Sequence, residues 1–172
     1  MMRWRGLILF SFVVLLVQIV LLNNLALSPY VARMVYIAII AMMPIETSQW
    51  KMLGVALLVG GLIDLTMGTA GLNVLATLPV AYFRRFILGL LCGLSSISNE
   101  EGIPTIKRFG SRFHRYLIVV VLLHSLIFYS FEWLSLSGIG FLVLRILCST
   151  LISLVMIYLL IIIFSKQLSR RQ

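Results

Sequence analysis

Residues 60–73 read GGLIDLTMGTAGLN and place a single carboxylate, Asp64, among apolar residues with glycines on both sides. A charged side chain in such a setting is costly unless a partner satisfies it. On a helix, Gly60 and Gly61 lie one turn before Asp64, and Gly68 lies one turn after it. The stretch therefore predicts a helix face of small residues around one carboxylate, followed by a tight turn at GTAG that ends with Gly71.

Small residues allow helices to approach closely in lipid, so this face is expected to pack against another helix and to bury Asp64 in protein. Two interpretations of the carboxylate are open. In the first, it makes a specific polar contact, with backbone amides freed at the turn, with Asn73 or with an arginine of another helix. In the second, it is a capping or loop-anchoring group close to the membrane face, with no further role.

The composition places the whole chain in a membrane. Of 172 residues, 62% are hydrophobic and 11% are charged, and the mean hydropathy is +1.13, values far from those of a soluble domain. We expect one all-α transmembrane domain covering residues 1–172. The 14 Lys and Arg against 5 Asp and Glu flank apolar runs, so they predict topology signals and contacts with anionic lipids, and no nucleic acid as a partner.

Successive apolar runs predict about six transmembrane helices in one bundle, because about 20 residues at about 1.5 Å each cross a hydrocarbon core of about 30 Å. The start resembles a signal peptide but is read as an uncleaved helix, since its apolar run is too long. The second run, VARMVYIAIIAMMPI, is short and closed by Pro44, so it extends, is broken or is re-entrant. The expected boundaries are Gly6 to roughly Leu25, residues 31–45, Met52 to Met67, a fourth run from Leu72, about Tyr116 to Trp133, and about Phe141 to Phe164.

The distribution of bases predicts that both termini are cytoplasmic. The polar loop at about 95–115 and the basic tail at 165–172 would then lie inside the cell. The loop carries four bases, and with Phe109 and Phe113 it either binds a partner or the anionic lipid surface, or is simply solvated. Those bases are Lys107, Arg108, Arg112 and Arg115.

Two arginines, Arg33 and Arg145, fit this topology less well, because they fall near the outer ends of spans two and six. They either extend towards the outer headgroups or pair with an acid, for which Glu132 is the natural candidate. Glu132 also lies about two turns from His124, a spacing that allows a proton relay or simply an inward polar patch.

Tyr82, Arg84 and Arg85 form a cluster of aromatic and basic side chains that predicts an interfacial anchor at the membrane surface. Cys92 and Cys148 lie far apart in apolar sequence and are expected only to pack. The sequence has no catalytic or phosphate-binding motif and no cluster of acids, so we expect neither an enzyme nor a cofactor or metal site.

The spacing G-x-x-x-D-x-x-x-G-x-x-G, with Pro44 upstream and the Tyr82, Arg84, Arg85 cluster downstream, resembles the bacterial rod-shape-determining MreD family. The resemblance covers most of the chain, although the later segments match only in general character. It implies a non-enzymatic inner-membrane subunit of the cell-wall elongation machinery. That subunit would bind MreC and, through it, be linked to the MreB filament and the peptidoglycan synthases.

The MreD family is also similar in fold to the substrate-binding components of energy-coupling-factor vitamin transporters, which supplies the alternative function of small-molecule uptake. Those components carry an Ala-x-x-x-Ala motif on the first helix. The corresponding GLILFSFVVLLVQIVLL at 6–22 contains no alanine, which favours the scaffold.

Overall fold

The computed structural model describes residues 2–22, 34–93, 102–132 and 139–169. Every regular element within these ranges is a helix, so the all-α prediction is confirmed for them, and the seven helices form one bundle. Helix α1 continues after Leu16 as a wider π-helical turn, Val17–Leu22. The helices are α1 (Met2–Leu16), α2 (Ile37–Ala41), α3 (Gln49–Met67), α4 (Leu72–Cys92), α5 (Ile106–Phe109), α6 (Ser111–Glu132) and α7 (Ile139–Ser169).

Four of these helices are long and apolar enough to cross a bilayer, as in a multi-pass membrane protein. They are α3, α4, α6 and the Gly140–Phe164 part of α7. The prediction of six full spans is thus met in part. The apolar part of α1 is the shorter Gly6–Val20, and in the described part of the second predicted span, 34–45, the only helix is the five-residue α2.

The second span differs from expectation because its residues lie inside the bundle. All residues from Met34 to Ile45, called the buried segment below, are buried. Helix α3 packs on α4, α4 on α6, α6 on α7, and α7 on α1, while α2 contacts α1, α3, α4 and α6. Irregular backbone is tolerated at membrane depth when protein surrounds it. Within 34–45 the second run is therefore a broken helix.

The turn between α3 and α4 uses glycine as the sequence predicts. Gly68 and Gly71 have φ angles of 67° and 91°, which side chains with a Cβ adopt at a cost. Further along the hairpin, a Cβ added at Gly60 would lie 3.0 Å from the Cα of Val74. Close contact between the two backbones thus depends on that glycine.

Most described bases gather at one end of the bundle. The Gln49 side chain donates to the Tyr82 carbonyl at 3.1 Å, and Arg112 donates to the Cys92 carbonyl at 3.2 Å. The start of α3, the second half of α4 and the start of α6 therefore share this end, called the basic end. It carries Lys51, Arg85, Lys107, Arg108, Arg112 and Arg115.

The first and last helices also meet at the basic end. The rings of Phe10 and Phe164 are 5.7 Å apart, and the Tyr158 hydroxyl lies 2.8 Å from Nδ1 of His114. Helix α1 therefore starts, and α7 ends, near the start of α6. Both termini of the bundle consequently point the same way.

The predicted polar loop at 95–115 is shorter than expected. Residues 106–109 form α5 and α6 begins at Ser111, while Phe109 and Phe113 are 7% and 0% exposed. Both rings pack into the core, so they are not available to a partner or to lipid. The remaining sequence predictions concern residues or side chains outside the described part of the chain. They are Arg33, the side chains of Arg3 and Arg5, residues 94–101 and 133–138, and the basic tail side chains at 165–172.

Candidate functional site

The Asp64 carboxylate is the centre of a polar clasp between α3 and α4. It is 8% exposed and accepts four hydrogen bonds across the turn. Oδ1 accepts from Thr69 Oγ1 at 2.6 Å, from the Asn73 amide at 3.0 Å and from Asn73 Nδ2 at 2.9 Å, and Oδ2 accepts from the Val74 amide at 2.9 Å. The backbone amides of Asn73 and Val74 are among those that the start of a helix leaves without an intrahelical partner. The carboxylate thus caps α4 while belonging to α3.

Asn73 extends this clasp towards the buried segment. Its Nδ2 group donates to Asp64, so its Oδ1 atom is free to accept, and the Tyr36 hydroxyl donates to it at 2.9 Å. The same Tyr36 oxygen lies 2.8 Å from Nε2 of His124. Because the tyrosine proton is used on Asn73, Nε2 of His124 must carry the proton of that contact. A chain of hydrogen bonds, the polar chain, therefore runs from Asp64 through Asn73 and Tyr36 to His124.

Side chains from α1 and α7 satisfy the backbone at the start of the buried segment. The Met34 amide donates to Ser153 Oγ at 3.0 Å, and the Val35 amide donates to Gln18 Oε1 at 2.9 Å. All of these groups are buried, and a buried backbone amide without a partner costs about 1–3 kcal/mol. The two side chains replace the water that a surface loop would use.

Arg84 and Tyr116 satisfy the carbonyls at the other end of the buried segment. Nη2 of Arg84 donates to the Met43 carbonyl and, at 3.4 Å, to that of Ala41. Nε donates to the Tyr116 hydroxyl at 3.1 Å, and that hydroxyl donates to the Ala41 carbonyl at 2.9 Å. A cation at the carbonyl end of a helix is also favoured by the direction of the peptide dipoles.

The structure corrects the predicted role of Arg84. Arg84 is 3% exposed, whereas Tyr82 is 58% exposed and Arg85 is also exposed. Only Tyr82 and Arg85 are therefore placed where an interfacial anchor would need them. Arg84 points the other way because it shares the inner face of α4 with Val80 and Leu88, one turn away on either side.

The predicted motif of Gly60, Gly61, Asp64, Gly68 and Gly71 comes together at the α3–α4 hairpin. Its members differ in what they contribute. A Cβ at Gly61 would meet nothing nearer than the Val74 side chain at 3.9 Å, in contrast to the backbone contact at Gly60. The partners of Asp64 are Thr69, Asn73 and the freed amides, and no described arginine. These contacts contain both the Asn73 and amide partners of the first interpretation and the helix cap of the second.

The sequence offered two kinds of partner for Glu132, an arginine and His124, and the structure shows only the first. Glu132 pairs with Arg145, whose Nη2 lies 3.1 Å from Oε2 of the acid, as the sequence suggested for one of its two unplaced arginines. Arg145 also lies over the ring of Tyr129, 4.8 Å from its centroid. His124 instead joins Tyr36, so His124 belongs to an inward polar patch and the geometry shows no relay to Glu132.

Sequence reasoning missed Tyr36, Thr77, Tyr116, Gln18 and Ser153. A signal existed for α4, where Asn73, Thr77 and Arg84 recur at spacings of four and seven residues and so share one helix face. That stripe of polar residues in an apolar helix indicates an inward polar face. On α7, Arg145, Ser149 and Ser153 likewise recur every four residues, so they share one helix face. Gln18 and Tyr36 belong to no such stripe.

The hydrogen bonds of this site join the helices to one another and to the buried segment, so the arrangement is suited to a structural role. The described part of the chain contains no group of three or more His, Cys, Asp or Glu side chains suited to a metal ion. The charged groups of Asp64 and Arg84 are hydrogen-bonded to protein groups within the bundle. Comparison with protein-family models, with curated proteins and with solved structures finds no match to this chain.

Proposed function

We propose that this protein is a non-enzymatic membrane scaffold subunit of the bacterial cell-wall elongation machinery, in the manner of the MreD family that its sequence resembles. The observation that carries the proposal is the buried segment, Met34–Ile45. Side chains from α1, α4, α6 and α7 hold its two ends. The charged and polar groups at these positions fix the shape of the bundle, which is what a docking partner requires of a scaffold.

The proposed topology has six passes with both termini in the cytoplasm. Helix α1 leads away from the basic end, and the buried segment returns towards it, since Val35 contacts Gln18 while Met43 contacts Arg84. The four long helices then alternate in direction. Bases concentrated at one end support a cytoplasmic location for that end and contacts there with anionic lipids.

In this proposal an MreC-like protein docks on the outward faces of the helices, and the MreB filament and peptidoglycan synthases are reached through it. The α3–α4 clasp shapes the docking surface and is not itself the surface. Asp64 is buried and engaged, so a partner has no free carboxylate to bind there.

The test is depletion in a rod-shaped bacterium that carries the gene. We expect rounded, widened cells and loss of the MreC-like partner from membrane pull-downs. The matched pair Arg84→Gln and Arg85→Gln refines the test, because the first alters the inside of the bundle and the second an exposed base next to it. Arg84→Gln should fail to restore shape, whereas Arg85→Gln should restore it.

Unchanged cell shape together with full recovery of the partner would contradict the scaffold. The alternative, a small-molecule uptake component, predicts that a vitamin or metal ion raises the melting temperature of the purified protein by mass action. A gene neighbourhood containing MreB and MreC would favour the scaffold, and a neighbouring transporter ATPase would favour uptake.

A further inference from the structure

One outer face of α6 joins two bases to an apolar stripe. Its members recur every three or four residues and therefore lie on the same side of the helix. All of them are exposed on the surface of the bundle: Arg112, Arg115, Val119, Leu122 and Leu126. In a helix that crosses a bilayer, such a face meets lipid, with its bases at the level of the headgroups and its apolar side chains among the acyl chains.

This face of α6 borders the end of α4. Nη1 of Arg112 donates to the carbonyl of Cys92, the last residue of α4, at 3.2 Å. A guanidinium group has five N–H donors, so Arg112 can bind an anion while it keeps this bond. Arg115 comes three residues later on the same face, and side chains at that spacing are neighbours on a helix. Both arginines can therefore reach one phosphate group.

Helix α4 supplies the second wall of a groove beside the two arginines. The side chain of Val74 marks the side of α4 that faces α3, because it is the group nearest to a Cβ at Gly61. Phe83 and Leu90 come nine and sixteen residues after Val74, which at about 100° per residue places them on the opposite side. They are 48% and 72% exposed, and α6 is packed against α4.

Two bonds between α4 and α6 set the register of the groove. Arg112 meets Cys92 and Tyr116 meets Arg84, so the helices run in opposite directions. Leu90 is then level with Arg112, and Phe83 is level with Val119. The groove has its bases at the membrane surface and becomes apolar towards the middle of the bundle.

Charge at the basic end selects an anionic occupant. Six bases lie at this end, whereas Glu46 is the only acid there within the described parts of the chain, and its carboxylate accepts from the Gly102 amide at 2.6 Å. Guanidinium groups bind phosphate through paired, charge-assisted hydrogen bonds. A zwitterionic lipid would bring its own cation close to these bases, whereas an anionic lipid would not.

We propose that the groove between α4 and α6 binds one anionic phospholipid, with the phosphate on Arg112 and Arg115 and an acyl chain along Phe83 and Val119. The inference rests on the proposed contact of the basic end with anionic lipids and gives that contact one defined, saturable position. The bound lipid reinforces the junction between the end of α4 and the start of α6.

Native mass spectrometry of the purified, delipidated protein tests the site. Phosphatidylglycerol is titrated in, and phosphatidylcholine with the same acyl chains is the zwitterionic comparison. We expect one phosphatidylglycerol to bind at least about tenfold more tightly than phosphatidylcholine. Arg112→Gln combined with Arg115→Gln should remove this preference. Lys51→Gln combined with Arg85→Gln removes the same charge from exposed positions outside the groove and should keep it.

An equal loss in the two double variants would overturn the site, because it would show attraction by net charge alone. Equal binding of the two lipids, or a preference unchanged in the Arg112 and Arg115 variant, would do the same. If that variant does not fold, Arg115→Gln alone is measured, and an undiminished preference opposes the site.

Inorganic phosphate distinguishes a lipid from a free anion. An equal concentration of phosphate should leave the phosphatidylglycerol bound, because phosphate has no acyl chain for the groove. Displacement of the lipid would assign the two arginines to free phosphate and overturn the proposal. The scaffold function stands or falls separately, since cell shape and recovery of the MreC-like partner test it.

Discussion

At the scale of single residues, Asp64 and its donors account for the largest local concentration of hydrogen bonds in the hairpin. Bonds to a charged group contribute about 1.5–3 kcal/mol each, and the carboxylate receives four. Removing it also leaves the amides of Asn73 and Val74 without partners. The side chain is therefore expected to stabilise the helix pair strongly.

We expect Asp64→Ala to lower the free energy of unfolding by about 3 kcal/mol or more, because buried donors lose their acceptor. Asp64→Asn keeps one carbonyl oxygen but turns an amide group towards a donor, so its loss should be smaller, about 1–2 kcal/mol. Reversible unfolding in detergent or bilayers measures both. Wild-type stability in both variants would contradict the clasp.

Gly60 offers a sharper test of the hairpin contact. In Gly60→Ala the new Cβ would meet the Val74 backbone at 3.0 Å, so the helices must move apart, and we expect a loss of about 1–3 kcal/mol. Gly54→Ala on the same helix meets nothing within 4 Å and should not lower stability, because alanine is the better helix former by about 0.5–1 kcal/mol. Equal effects in the two variants would show that the close approach is unimportant.

The difference between Arg84 and Arg85 shows what a short motif can and cannot reveal. The Tyr-Phe-Arg-Arg-Phe sequence is typical of a membrane interface, and the exposed side chains of Tyr82 and Arg85 agree with that interpretation. Neighbouring residues on a helix point about 100° apart, so one arginine of an adjacent pair can face inward. Which of the two does so depends on the packing of α4 against α6, and composition contains no information about it.

At the scale of elements, the buried segment depends on side chains more than on its own helix. Five helical residues are too few to be stable alone, and the structure provides bonds at both ends of the segment. Its stability should therefore respond to changes on distant helices. Two pairs of variants examine its carboxyl end and its beginning.

We expect Arg84→Gln to lower the free energy of unfolding by about 3 kcal/mol, since the carbonyls of Ala41 and Met43 and the Tyr116 hydroxyl lose a charged donor. Its neighbour provides the control, because Arg85→Gln changes an exposed base and should stay within about 0.5 kcal/mol of wild type. Chemical unfolding of both proteins in the same detergent is the measurement. A similar loss in the two would mean that charge, and not the hydrogen bonds to the buried segment, is responsible.

Tyr36→Phe removes one hydroxyl from the middle of the polar chain. Asn73 Oδ1 and His124 Nε2 both lose their partner, so we expect a loss of about 1–3 kcal/mol. Tyr82→Phe makes the same chemical change at a side chain that is 58% exposed and should be nearly neutral. Thermal melting of the two variants side by side compares them, and an unaffected Tyr36→Phe would remove the polar chain from the account of stability.

The four long helices were predictable from their apolar runs, to within a few residues at most ends. Met52 to Met67 became Gln49–Met67, and Tyr116 to Trp133 became Ser111–Glu132. Helix α2 was not predictable in length, because an apolar run does not show whether its backbone bonds to itself or to side chains of other helices. Gln18 and Ser153 decide that question, and both come from other parts of the sequence.

At the scale of the whole molecule, the two ends of the bundle differ in charge. The basic end holds six described bases outside the core, whereas the opposite end holds the α3–α4 turn and the Glu132–Arg145 pair. This asymmetry orients a membrane protein with its bases inside the cell. It was visible in the sequence, since charges flanking apolar runs need no knowledge of packing.

Single cysteines test the orientation. After Cys92→Ala and Cys148→Ala, we expect Met67→Cys, beside the turn, to react with a membrane-impermeant thiol reagent in intact cells. Lys51→Cys should react only after the membrane is opened, because it lies at the basic end. Both positions are exposed, so access to the side chain is equal and only the side of the membrane differs. The reverse pattern would invert the topology.

The long-range bond between Met34 and Ser153 has a consequence for synthesis of the protein. The two residues are 119 positions apart in the chain, and ribosomes add about 5–20 residues per second. The Met34 amide therefore emerges roughly 6–24 s before its acceptor exists. During that interval the second segment cannot take its final place, so the bundle can only close after translation has reached the last helix.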